Sequence, residues 1–127
     1  MTSDPEFPPA EAERTEGVLS VIVELGPDRV LARVSGEIDI DDAGRLGEDL
    51  AAALSAGRNG LDVDLTGVTF CDSSGLHVLL DLGGKAVRAD KTLVLTAVSR
   101  PVARLLRLTG ADEVLTVNDW SGEVHDV

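Results

Sequence analysis

Residues 68–80, VTFCDSSGLHVLL, set four polar or small residues, Asp72, Ser73, Ser74 and Gly75, between a strand-like apolar run and a helix-like one. A strand that passes straight into a helix is the unit from which α/β sheets are built, so this junction constrains the fold more than any other segment. Aspartate or serine at such a boundary can accept a hydrogen bond from an orphan N–H of the first helical turn. A serine there also offers an addressable surface hydroxyl. The junction thus has a structural role and a regulatory or catalytic one, and neither excludes the other.

The flanking pattern extends the alternation of strands and helices. Residues 1–17 carry three prolines and four glutamates with few apolar side chains and are expected to be a flexible acidic leader outside the fold. Residues 18–25, VLSVIVEL, are β-branched and end at Gly26-Pro27-Asp28; residues 29–35 form a second strand across that turn, predicting a hairpin. The acidic stretch 36–42, GEIDIDD, reads as a loop. Leu46, Leu50, Ala53 and Leu54 then recur at helical spacing, with Asp41 or Asp42 as N-cap and Gly57 and Gly60 closing the helix.

Residues 61–65 alternate apolar side chains with Asp62 and Asp64, as in a strand with one polar face. The junction leads into a helix over 73–89, where Leu76, Leu79, Leu80, Gly83 and Val87 share a face that Val78 and Leu82 widen. Residues 92–98 form a nearly continuous apolar strand. Pro101 fits the first turn of a third helix that points Val102, Leu105, Leu106 and Leu108 inward and stops at Gly110. Residues 114–117 add a last short strand, and 118–127 form a tail. The fold class is α/β: one domain over 18–117, a mixed β-sheet with helices packed against it, in the order ββαβαβαβ.

Composition narrows the function. A chain of 127 residues with 43% hydrophobic content suits one domain with its own core. No apolar run approaches the roughly 20 residues that span a bilayer, and residues 1–17 lack the basic and apolar segments of a secretory signal; a soluble, cytoplasmic protein is expected. The single Cys71 reads as a buried small apolar residue, and with no Cys/His cluster neither a metal nor a cofactor is expected. The net charge of −12, from 23 acidic against 11 basic residues, disfavours nucleic acid and anionic membrane as partners. A basic protein surface fits better, although such a charge also simply keeps a small protein soluble. The aromatic residues are Phe7, Phe70 and Trp120, too few for stacking on bases or sugars.

In α/β sheets, sites gather at the carboxyl ends of strands, which directs attention to residues 70–74 and to the acidic stretch before the first helix. Gly36-Glu37-Ile38-Asp39, followed after one helix and one strand by residues 64–76, DLTGVTFCDSSGL, resembles the STAS domain of bacterial anti-anti-sigma factors over about residues 18–117. The resemblance implies an anti-sigma factor antagonist. Such a protein binds an anti-sigma factor that is also a serine kinase of the histidine-kinase-like ATPase fold, freeing the sigma factor. It is released when phosphorylated, and a serine phosphatase restores it. By the same resemblance Ser73 is the phosphoacceptor, with Ser74 as the alternative. Gly36, Glu37, Asp39, Asp72, Ser73, Ser74, Gly75 and His77 form the partner-binding surface, His77 standing where many relatives have a small residue.

Plainer roles remain open for these residues. Ser73 can be a helix cap only, Ser74 can satisfy a first-turn N–H, and Gly75 can serve tight packing or close partner approach. Glu37 and Asp39 can be solvated loop charges and caps. His77, four residues after Ser73, allows a serine nucleophile with a neighbouring base to be imagined. There is no Gly-x-Ser-x-Gly elbow, however, and no acid placed to orient His77, so an enzyme is not expected. A STAS-like scaffold or small-ligand module in a stress-signalling assembly is the other alternative.

Overall fold

A computed structural model of the chain describes residues 18–120; the expected acidic leader and residues 121–127 lie outside the described residues. Two antiparallel strands, β1 (Ser20–Leu25) and β2 (Arg29–Ile38), form the predicted hairpin and lead to helix α1 (Ile40–Ala56). Strand β3 (Gly60–Cys71), helix α2 (Ser73–Arg88), strand β4 (Thr92–Val98), helix α3 (Arg100–Thr109), a 3-10 turn (Ala111–Glu113) and strand β5 (Thr116–Val117) follow. The sheet order is β1-β2-β3-β4-β5, with every pair after the hairpin parallel. The expected mixed sheet in the order ββαβαβαβ is present.

This topology settles where the core lies. The three parallel crossovers all step in one direction across the sheet, so their common right-handedness puts all three helices on the same face. Val30, Ala32 and Val34 of β2, Leu61, Val63 and Leu65 of β3, and Leu95 of β4 are buried there against Leu46, Leu50, Leu79, Leu82, Val102 and Leu106. The alternate side chains, among them Leu31, Arg33, Asp62, Asp64 and Val94, point to the face that carries no helix among the described residues and are half-buried or exposed. A central strand can therefore keep the polar alternation seen in its sequence.

Both aspartates of β3 have local partners. Asp62 accepts from Arg29 Nε at 2.9 Å, and the same guanidinium donates to Thr92 Oγ1 at 2.6 Å and to the carbonyls of Leu61 (3.2 Å) and Thr92 (3.3 Å), tying three strands together at their shared end. Asp64 Oδ1 accepts from the backbone N–H and the hydroxyl of Thr66 at 2.9 and 2.7 Å.

Several expectations from the sequence are corrected. Gly36, Glu37 and Ile38 are not loop residues: they extend β2, because β3 is long enough to pair with them through Val68, Phe70 and Cys71. Gly36 has φ +100, and a Cβ there would run into the Val18 carbonyl oxygen; a register shift follows between Gly36 and Glu37. The N-cap of α1 is Asp39 rather than Asp41 or Asp42. Gly57 is the C-cap, whereas Gly60 already belongs to β3.

On α2 the buried stripe runs through Gly75, Leu76, Leu79, Leu82 and Ala86, while Val87, one residue beyond the stripe, is 77% exposed. Leu108 is 78% exposed, because the inward face of α3 is Val102, Ala103 and Leu106, and Leu108 lies two residues, about 200°, past its last member. The last strand is only two residues long, the 3-10 turn having taken up the chain before it. Beyond it, the Asn118 N–H donates to the Leu95 carbonyl at 2.9 Å, and Trp120 packs under the Arg107 guanidinium, 4.5 Å from the ring centre.

Candidate functional site

The carboxyl ends of β2 and β3 lie side by side, with Glu37 opposite Phe70 and Ile38 opposite Cys71. The Asp72 N–H donates to the Ile38 carbonyl at 3.2 Å, joining the two strand ends at the point where each chain turns into its helix. The acidic stretch and the Asp-Ser-Ser-Gly junction, 33 residues apart in the case of Asp39 and Asp72, therefore share one rim.

Each helix on this rim is capped by an aspartate. Asp39 Oδ1 accepts from the N–H groups of Asp41 and Asp42 at 3.0 and 3.3 Å, and Asp72 Oδ1 accepts from the Ser74 N–H at 2.8 Å. A short-chain carboxylate in extended backbone is well suited to this, since it meets both an orphan donor and the positive end of the helix dipole. The consequence for the serines is direct. Ser73 is the first residue of α2, exposed, and its hydroxyl has no hydrogen-bond partner among the described residues. Ser74 is half-buried, and the first-turn bond expected of its side chain is made by Asp72 instead.

Gly75 is a packing requirement. A Cβ there would lie 2.6 Å from Cys71 Sγ and 2.7 Å from Ile38 Cγ2, so only glycine lets the first turn of α2 press against the ends of β2 and β3. Cys71 is half-buried beneath that turn. Burial first, and the nearby Asp72 charge second, push its thiol up to about 11, which keeps it protonated and unreactive at neutral pH. At the start of α1, Asp42 is raised above its ordinary value by desolvation and by the Asp39 charge and hydrogen bond.

Two features of the rim go beyond the sequence reading, which pointed to residues 70–74 without giving Phe70 a role of its own. Phe70, opposite Glu37, is 47% exposed, an apolar ring among carboxylates. A groove of about 660 Å³ runs between α1 and α2, lined by Ala43 and Gly44 on one side and Ser74, His77, Val78, Leu80 and Asp81 on the other. Neither was legible beforehand. Phe70 needs the knowledge that β3 ends unflanked by β4, and the groove is a helix–helix feature between segments distant in sequence.

The groove gathers Ser74, His77 and Asp81 in successive turns, so an acid does stand one turn beyond the histidine. No hydrogen bond links these three side chains. Among the described residues no three His, Cys, Asp or Glu side chains gather in a metal-binding group, and no helix is long and apolar enough to cross a membrane. What the rim offers is an exposed hydroxyl on a capped helix start, beside a strand end and a second helix start that carry Glu37, Asp39, Asp41 and Asp42, with one apolar ring and one histidine.

Comparison with known proteins gives the family of the chain. The family model described as Mlab, STAS domain, matches residues 23–117. The chain is 30% identical to an anti-sigma-B factor antagonist of Listeria monocytogenes over 104 residues, covering 82% of this chain and 91% of that protein. It is 30% identical over 87 residues to one from Staphylococcus epidermidis, covering 68% of this chain and 81% of that protein. Among solved structures, an anti-sigma factor antagonist from Mycobacterium paratuberculosis superposes with a TM-score of 0.68 at 25% identity, over 80% of this chain and 86% of that one.

Proposed function

The chain belongs to the STAS-domain family, and we propose that it is an anti-sigma factor antagonist whose hold on its partner is switched by phosphorylation of Ser73. The partner in this reading is an anti-sigma factor that is a serine kinase of the histidine-kinase-like ATPase fold. Binding frees the sigma factor, phosphate on Ser73 ends the binding, and a serine phosphatase restores it. The protein is then a kinase substrate and a regulatory binding module of the cytoplasm, not an enzyme.

The observation that carries the proposal is the division of labour at the start of α2. Asp72 caps the helix, so the Ser73 hydroxyl has no structural duty and can accept a phosphoryl group without loss of a native hydrogen bond. The helix start itself favours an anion through its free N–H and dipole, which lets the domain tolerate the product. Phosphorylation adds about −1.5 to −2 charges beside Asp72. A partner surface shaped for a neutral hydroxyl offers that charge no counterpart of its own, and burying a charge so costs about 3–5 kcal/mol, or roughly two to four decades of affinity. Glu37, Asp39 and Phe70 on the same rim supply acidic and apolar contacts for a basic partner surface.

Purified protein mixed with its cognate kinase tests this. Wild type and Ser73→Ala are expected to bind equally, only wild type to be labelled from ATP, and Ser73→Asp to bind at least tenfold more weakly. Equal labelling of Ser73→Ala would move the acceptor to Ser74. The groove between α1 and α2 favours a second reading, a STAS module for a small ligand; it predicts binding that is indifferent to Ser73.

A further inference from the structure

We propose that His77 is the intramolecular partner of a phosphate on Ser73, the two groups spanning one turn of α2. This rests on the reading of Ser73 as the phosphoacceptor. Ser73 opens α2 and His77 follows four residues later, which places their Cβ atoms about 6 Å apart on one helical face. Helical side chains lean back toward the helix N-terminus, so the imidazole is carried over the turn that holds the two serines; His77 and Ser74 indeed line the same groove. Both Ser73 and His77 are exposed, and neither side chain is bonded to another described residue. Each can turn to the other at little cost.

Among the described residues that line the groove beside Ser74, His77 is the one able to carry a positive charge. On α2, Asp72 precedes the serines and Asp81 follows the histidine by one turn. Across the groove α1 meets His77 with Ala43 and Gly44, flanked by Asp41 and Asp42 at the helix start and by Glu48 one turn further on. Arg45 on that helix is paired with Asp49 at 3.7 Å. Among the described residues, no lysine or arginine lines this part of the groove. A phosphoserine dianion and an imidazolium one helical turn apart each favour the ionised form of the other. A charge-assisted N–H···O bond would hold the phosphate over the start of α2.

The test uses the full chain with phosphoserine installed at position 73 during translation, in a His125→Gln background that leaves His77 as the only histidine. NMR titrations follow the His77 ring protons and the ³¹P resonance. Relative to the unphosphorylated protein, the His77 midpoint is expected to rise by about 0.5 to 1 pH unit. Because the imidazolium favours the phosphate dianion, His77→Gln is expected to shift the phosphate midpoint upward. A His77 midpoint that ignores the phosphate, or a ³¹P curve that ignores His77→Gln, overturns the pairing. Because the phosphate is installed directly, this outcome is independent of any kinase: failure of labelling by the kinase would sink the phosphoacceptor reading alone.

Discussion

Replacing Asp72 and Ser73 separately by alanine distinguishes the residue that holds the start of α2 from the residue left free for chemistry. Asp72→Ala removes a 2.8 Å bond from Oδ1 to the Ser74 N–H and a carboxylate at the positive end of a 16-residue helix. Loss of an N-cap of this kind costs about 0.5–2 kcal/mol, and loss of the charge at the dipole adds up to about 1 kcal/mol. Ser73→Ala removes an exposed hydroxyl that makes no bond among the described residues, and alanine is the better helix former, so the change is expected within about 0.5 kcal/mol of zero. Urea unfolding of the two variants at pH 7, with m unchanged, reads the difference directly. In thermal unfolding, 1 kcal/mol corresponds to roughly 4–8 °C for a domain near 100 residues. Asp72→Asn, which keeps an acceptor oxygen but not the charge, should fall between them. Equal destabilisation by Ser73→Ala and Asp72→Ala would mean that the serine shares the cap, and the case for its freedom would be lost.

Four further outcomes are expected. Gly75→Ala forces a methyl against Cys71 Sγ and Ile38 Cγ2 and should cost about 1–3 kcal/mol, with part of the loss recovered in the Gly75→Ala, Cys71→Ala double variant in denaturant titrations. The Cys71 thiol, raised from 9.0 to about 11, should react with a disulfide reagent at pH 8 about 100-fold more slowly in the native protein than in urea. That raised value also means that the thiol's contribution to stability is complete below pH 9.0 and lost as pH rises through about 11; comparison of wild type with Cys71→Ala by unfolding across pH 8–12 checks the sign. Arg29→Ala, which leaves Asp62 half-buried without its partner and three strand ends untied, should cost about 2–4 kcal/mol in urea unfolding while leaving the distant rim's partner binding intact.

How much of this was legible beforehand differs between residues for physical reasons. The helix through Leu46, Leu50, Ala53 and Leu54 and the strand over 92–98 were read correctly because each is a local periodic pattern with punctuation at its ends. The start of α2 was equally plain, since Asp72 follows a strand run and precedes a helical one. Gly36, Glu37 and Ile38 look like a loop in the sequence because a glycine followed by acidic residues has the local signature of one; only pairing with the distant end of β3 makes the segment a strand, with Gly36 at positive φ. The N-cap was placed at Asp41 or Asp42 for the same reason, as a loop up to residue 42 displaces the helix start from Asp39. The adjacency of Asp39 and Asp72, the need for glycine at position 75 and the groove beside His77 are contacts between elements, and no single-segment pattern encodes them.

The most direct measurement is tandem mass spectrometry of the protein after incubation with its cognate kinase and ATP. One phosphate on Ser73, absent from Ser73→Ala and accompanied by loss of the kinase complex, is the predicted result. Phosphate on Ser74, or a stable complex between the kinase and the Ser73-phosphorylated protein, would contradict a switch built on the free hydroxyl at the start of α2.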